Sequence, residues 1–522
     1  MLARGGLHVV LLERDRFPRD HVGESLLPAS IPILERLGVL PAIEAAGFLP
    51  KHGATMVWGS DPEPWSWYFR ETNRSYPSSF QVTRPEFDQI LLEHARTLGA
   101  EVHEGCQAVE VPFEDGRAGG VRYRDEDGAE GFVAARWVVD ASGQTALLGH
   151  ALGLREWDDF FRNLAIYGYF EDAERLSEPD ATNIFIESCE HGWCWTIPLH
   201  TGQASVGVVL DSEAGQRAIG ELGVEEAFRD RIASAPRTAA LLERATLVDG
   251  PHVVRDWSYR SRRLAGPGYV LVGDAGCFVD PLFSSGVHLA LSSGVLAAAY
   301  IASALRDPTL EGPAAEAYAD LYLAQYNNFH RLAMLFYSSN RSAGSYFWEA
   351  RRISDESEFS PRHAFIRMVA GQSPIGYERA VINHGDAPPA FVAGVRAVEA
   401  EREARRAALD RAGPAAIAAS VPRLDAGVRI ERKPVIEGDE FAWGHVLSSE
   451  QRPEGTPLSL PVARMLASAD GRASIAELSE RIAAAAGVSD EATRARLTEQ
   501  LAAAASILYI DGAIEELAGL GG

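Results

Sequence analysis

Residues 273–294, GDAGCFVDPLFSSGVHLALSSG, carry the densest chemistry in this 522-residue chain. An apolar run, YVLVG (269–273), reads as a strand that delivers Asp274 at its carboxyl end. Asp280 and Pro281 follow in a short loop, and Ser284, Ser285 and Gly286 lead into a helix of small residues. That order sets a carboxylate acceptor beside the free N–H groups of a helix start, which suits a ligand bearing both hydroxyls and negative charge. Turns with Gly and Asp between strand and helix are common, so spacing alone also fits an ordinary turn. In WCWTIP (193–198), alternation puts Trp193, Trp195 and Ile197 on one face of a strand, as the wall of a cavity or as plain core. Lys51, in LPKHGATMVWG (49–59), is one of only two lysines, the other being Lys433. Its amine can donate a hydrogen bond or attack an electrophile, and arginine does the second poorly; a solvated loop charge is the alternative.

These groups need a scaffold, and the composition permits one. With 46% hydrophobic and 23% charged residues the chain reads as globular, with more than one domain or one large elaborated one. A net charge of −24 argues against a nucleic-acid partner, which requires a basic face. The four cysteines, Cys106, Cys189, Cys194 and Cys277, show no metal spacing and no disulfide framework. No metal ligands are expected. The longest apolar run, 285–305, is interrupted by Ser292, Ser293 and Gly294, so no membrane partner is expected. The N-terminus has no signal-peptide pattern, which makes the cytoplasm the expected location.

HVVLLERD (8–15) reads as a strand ending in the acid Glu13. In a dinucleotide-binding unit such an acid binds ribose hydroxyls and follows a G-x-G-x-x-G loop by about 20 residues. That count places the loop at or before Met1, and MLARGG reads as the last turn of the intervening helix. The expectation is a chain that lacks the first strand and phosphate loop; an ordinary first strand is the alternative. Residues 26–47 read as helix with Pro interruptions and 84–100 as an amphipathic helix. Alternating strands at 164–171, 182–188, 193–198 and 204–210 suggest an antiparallel sheet. Residues 410–427 read as a linker. Beyond it Ser474 and Glu477 form a capping box that opens a helix.

The full string at 273–294, with WCWTIP, VGESLLP (22–28), VTRPEFDQ (82–89) and DASG (140–143), resembles FAD-dependent halogenases of the phenol- and pyrrole-acting branch. The resemblance implies an α/β fold: a Rossmann-like FAD-binding domain from 1–48, 81–155 and 260–310 without its first βα turn. An antiparallel substrate sheet from 49–80 and 156–259 is inserted into it. A helical region (311–410) and a small winged-helix-like extension (425–522) follow. It assigns Glu13, Glu24, Ser25, Arg84, Asp140, Gly273, Asp274, Asp280 and Pro281 to the cofactor, and Ser285 and Gly286 to the halide. Trp193, Trp195, Ile197 and Pro198 would keep organic substrate away from the flavin. A separate flavin reductase would supply reduced FAD, and oxygen with chloride or bromide would give hypohalous acid, which passes to the catalytic Lys51. Tryptophan-acting members carry a glutamate where this chain has Phe283, so the expected substrate is an activated ring, a phenol or pyrrole, free or tethered to a carrier protein. A hydroxylase or reductase on the same scaffold and a non-catalytic truncated homologue remain as alternatives.

Overall fold

The computed structural model describes residues 1–59, 63–189, 192–338, 361–371, 389–449 and 452–520. Contacts divide the chain into two units, Met1–Ala380 and Val381–Gly522.

The first unit is mixed α/β. Its parallel strands come in two pieces: Val10–Glu13 pairs with Glu101–Glu104, and Val138–Asp140 pairs with Tyr269–Leu271. Among the described strands nothing pairs with the second edge of Val10–Glu13 or of Val138–Asp140, and Val139 is 40% exposed. Residues 1–6 make one helical turn closed as the sequence anticipates. Gly6 sits at φ 83°, the Leu7 N–H reaches Leu2 O at 3.2 Å, and the Gly6 N–H reaches Ala3 O at 2.9 Å.

The inserted sheet has eight strands. Its spatial order is Cys277–Phe278, Thr246–Ser261, Arg155–Glu171, Ala204–Asp211, Gly192–Pro198, Ile184–Cys189, Gly53–Val57 and Trp65–Tyr68. Every pairing is antiparallel except that of Ile184–Cys189 with Gly53–Val57. One face packs Cys194, Val206 and Val208 against Phe228 and Ile232 of a covering helix, Val224–Ala233. Both faces of the central strands are therefore buried, which explains why Trp193–Pro198 is continuously hidden.

Two helices back the Gly273 turn that follows the strand Tyr269–Leu271. The small-residue helix, Gly286–Arg306, lies against the tyrosine-rich helix, Glu311–Ser338. Gly273 has φ 53°, and a Cβ there would sit 3.2 Å from the Ala290 Cβ, so small residues on both sides permit the close approach. Ser293 Oγ accepts the Gly273 N–H at 2.8 Å, and the Tyr322 hydroxyl donates to Gly273 O at 2.8 Å. The small-residue helix does reach membrane-spanning length and apolarity, contrary to the reading from its serines. Ser293 and Ser303 return their hydroxyls to backbone carbonyls, so they do not break the helix, and Leu289, Leu296, Tyr300 and Ile301 bury it in the core.

In the second unit, Val421–Leu424 pairs with Ile514–Ala518, and a three-stranded antiparallel sheet spans Arg429–Leu458. Helices Leu460–Ala467, Ile475–Ala485 and Glu491–Ile510 share a core of Met465, Ile475, Leu478, Leu501 and Ala505. The Ser474–Glu477 capping box is present. The expected linker at 410–427 is instead helical to Ala419: Pro389–Ala419 kinks at Gly413 (φ 76°), and Pro414 restarts the helix from its first turn, where proline is tolerated. The division between units falls inside the expected helical region 311–410.

Candidate active site

Lys51 ends the short strand Leu49–Lys51, which pairs with Ser79–Gln81. Ser25 bridges to Gln81 on the same strand, so the 22–28 loop and Lys51 are held one strand apart, about 10 Å. Lys51 is 2% exposed, its Nζ lies 5.7 Å from the Phe69 ring centre, and no carboxylate pairs with it among the described residues. Burial takes its amine from the ordinary 10.5 down to about 7. On the neighbouring strand Ser79 Oγ and Gln81 Oε1, and on the 22–28 loop Ser25 Oγ, are buried without hydrogen-bond partners.

Trp193 and Trp195 stand 5.9 Å apart on one face of their strand. The Trp193 indole N–H donates to the Tyr337 hydroxyl at 2.5 Å, and that hydroxyl donates to the Asp280 carboxylate at 2.6 Å. Asn163 Nδ2 at 3.1 Å and the Leu282 N–H at 3.0 Å complete three donors to Asp280. The tryptophan strand is thus clamped to the Asp280–Pro281 turn. Burial still dominates, and the Asp280 carboxyl is pushed up to about 6.

Past the turn, Ser284 takes φ 57° and the chain enters the small-residue helix. Ser285 is 1% exposed with its Oγ unpartnered, and a Cβ built at Gly286 would meet nothing within 4 Å. A 21-residue helix start with an orphaned hydroxyl and free space fits a small anion.

The other predicted residues divide. Asp274 has no hydrogen-bond donor to its carboxylate among the described residues, and burial pushes it up to about 6 against the opposing charge of Arg84. It fits a ligand's hydroxyls. Asp140 instead holds its own turn, accepting Ser142 N–H at 3.0 Å and Leu148 N–H at 2.7 Å. Glu24 accepts the Tyr169 hydroxyl at 2.7 Å, and Arg84 pairs with Asp88 and donates to Val22 O at 2.8 Å. Glu13, at its strand end, accepts the Asp15 N–H at 2.9 Å, and no described contact links it to the others.

A cavity of about 510 Å³ opens beside the first turns of the small-residue helix, lined by His288, Ser292, Gln325, Arg367, Thr72 and Asn73 among others. Phe283 lies in an aromatic cluster with Phe336, centres 5.1 Å apart, and Phe336 also meets Trp58 and Phe365.

A family model described as tryptophan halogenase matches residues 70–387. The chain belongs to that family. It is an FAD-dependent halogenase that uses a halide co-substrate. A tryptophan 2-halogenase of Chondromyces crocatus is 35% identical over 386 residues, 72% of this chain and 73% of the relative. A 1H-pyrrole-2-carbonyl-[peptidyl-carrier protein] chlorinase of Pseudomonas fluorescens is 33% identical over 363 residues, 65% of this chain and 80% of that one. Among solved structures, the FAD-dependent myxobacterial chondrochloren halogenase matches at 40% identity and TM-score 0.62, covering 71% of this chain and 86% of its own.

Sequence reading of this halogenase missed Tyr337 and Asn163, both of which donate to Asp280. A stripe of Tyr318, Tyr322 and Tyr326 at helical spacing marks the tyrosine-rich helix in the sequence, and Tyr337, about three turns beyond Tyr326, continues that face, but nothing local points to its partners. Asn163 has no local signal, because its contact with Asp280 spans 117 residues.

Proposed function

We propose that this halogenase chlorinates or brominates an electron-rich ring, phenolic or pyrrolic, either free or carried on a carrier protein. Reduced FAD, delivered by a separate reductase, would supply with oxygen the two-electron oxidation that turns halide into hypohalous acid. Asp274 and Ser25 would hold the cofactor, while Asp140, Glu24, Arg84, Gly273, Asp280 and Pro281 keep the surrounding loops in place. Ser285 and Gly286 would receive the halide at the helix start. Trp193, Trp195, Ile197 and Pro198 form the wall that keeps an organic ring from the oxidising centre.

The observation that carries this reading is Lys51. Its amine is buried, unpaired by any described carboxylate and about half deprotonated at pH 7, so it offers a lone pair and N–H donors to hypohalous acid. A solvated loop lysine would have none of these features. Phe283 replaces the carboxylate by which tryptophan-acting members help deprotonate the ring, which favours rings that stabilise their own cationic intermediate. The name of the 35% identical relative supports tryptophan as a second reading. Supplying the full chain with reduced FAD, oxygen, chloride and a panel of phenols, pyrroles and tryptophan tests both. A product with the isotope pattern of chlorine is expected from phenols or pyrroles; oxygen insertion without halide would contradict halogenation.

A further inference from the structure

The tryptophan wall does not end at Trp195. Trp195 lies opposite Gly207, where a Cβ would meet its indole at 2.2 Å, so the ring crosses the neighbouring strand. On the far side it stacks on Tyr167, centres 6.4 Å apart and planes 30° from parallel. Tyr169 follows on the same face of its strand, 6.3 Å from Tyr167. The Tyr169 hydroxyl donates to Glu24 Oε1 at 2.7 Å, a contact across 145 residues. Glu24 is buried and belongs to the 22–28 loop. An aromatic row thus runs from Trp193 through Trp195, Tyr167 and Tyr169 to that loop.

The loop is also tied to the strand beside Lys51. Glu24 O accepts the Val82 N–H at 2.8 Å, and the Leu26 N–H donates to Phe80 O at 3.0 Å. Phe80 lies in Ser79–Gln81, the strand that pairs with Leu49–Lys51. The tryptophan sheet and the Lys51 ladder therefore meet at Glu24. Among the described residues, Tyr169 makes the one hydrogen bond from the strand Arg155–Glu171 to this loop. Burial, and then the Glu24 carboxylate, push the Tyr169 hydroxyl well above its ordinary 10, so it stays a donor at neutral pH. Phenylalanine at this position would leave a buried carboxylate without that donor.

We propose that Tyr169 is a positioning residue: by holding Glu24 it fixes the tryptophan wall relative to the Lys51 strand, so that oxidised halogen formed beside the wall is delivered to Lys51. This rests on the halogenase reading of the site. The overall oxidation converts reduced FAD, oxygen, chloride and a proton to FAD, hypochlorous acid and water, and Tyr169 takes no part in it. What depends on Tyr169 is where the hypochlorous acid goes. With the tie intact it passes to Lys51. With the tie cut the 22–28 loop loosens between wall and Lys51 strand, and the acid escapes to solvent.

The test uses the full chain with reduced FAD, oxygen and chloride. The probe is whichever ring of a panel of phenols and pyrroles wild type chlorinates best. Excess monochlorodimedone is added as a trap for hypochlorous acid in solution. Wild-type chlorination of the ring is expected to persist in the presence of the trap. In Tyr169→Phe the trap should take the chlorine and lower ring product roughly tenfold, with flavin reoxidation within about twofold of wild type. Glu24→Ala should show the same diversion, and the double variant should lie within about threefold of either single one. Hydrogen exchange is read on the same proteins: the Leu26 and Val82 N–H groups should exchange about tenfold faster in Tyr169→Phe. Ring product in Tyr169→Phe that resists the trap, equal loss of product and reoxidation, or multiplied effects in the double variant would overturn the proposal. If wild type chlorinates no ring, the halogenase reading fails by itself. Exchange then decides the tie: faster exchange in Tyr169→Phe supports it, and unchanged exchange refutes it.

Discussion

Lys51 and Asp280 are hidden from solvent to the same degree, 2% exposed each, yet their surroundings are opposite. Asp280 accepts from Tyr337, Asn163 and the Leu282 N–H, so its carboxylate is fully engaged in joining the tryptophan strand to the turn before the small-residue helix. Lys51 has an aromatic ring beside it and no described acceptor. Burial moves both toward neutrality, to about 6 and about 7. An ionisable group with a complete set of partners holds structure; one left without them bears a stability cost that only a ligand or a reaction accounts for.

The largest effect expected from this contrast is a stabilising one. The folded amine titrates near 7 and the unfolded one near 10.5, so the unfolded chain binds more protons between those values and stability rises with pH across that window. Replacing Lys51 with Met should therefore stabilise the fold by about 4 kcal/mol at pH 7 and below, with the gap closing toward pH 10.5. Urea unfolding at several pH values would check it; a destabilised Lys51→Met would mean the amine has a partner. At Asp280 the sign reverses. Its folded value lies above the ordinary 3.8, so stability from this group falls as pH rises from 3.8 to about 6. Asp280→Ala, which leaves three donors unmatched, should nonetheless cost about 3 kcal/mol.

Smaller effects sharpen the clamp. Tyr337→Phe removes one donor to Asp280 and the acceptor of the Trp193 N–H, and should cost about 1–2 kcal/mol with a changed tryptophan emission. An unchanged stability would place the clamp elsewhere. Halogenation itself should fall by up to about tenfold per pH unit below about pH 7, as the Lys51 amine takes up its proton, and level off above it.

The strands and the strand-to-helix turn were legible because they rest on local signals. Alternation marks Trp193 and Trp195, and the order of small and acidic residues marks 273–286. The clamp was not legible, because Trp193, Asp280 and Tyr337 meet only through tertiary packing, with Tyr337 lying 144 residues from Trp193. Asp140 shows the converse limit: its motif is readable, but only the fold reveals that Ser142 and Leu148 consume its carboxylate. The proline in 410–427 suggested a linker, and an alanine-rich neighbourhood overrode it.

The central claim is that Lys51 carries the oxidised halogen while the oxidising chemistry takes place elsewhere. The direct measurement follows flavin reoxidation and chlorinated product together in wild type and Lys51→Ala, with reduced FAD, oxygen and chloride in common. Unchanged reoxidation with product lost by more than about 100-fold is the predicted result. Retained chlorination in Lys51→Ala, or loss of both signals in a folded variant, would contradict the role given to Lys51.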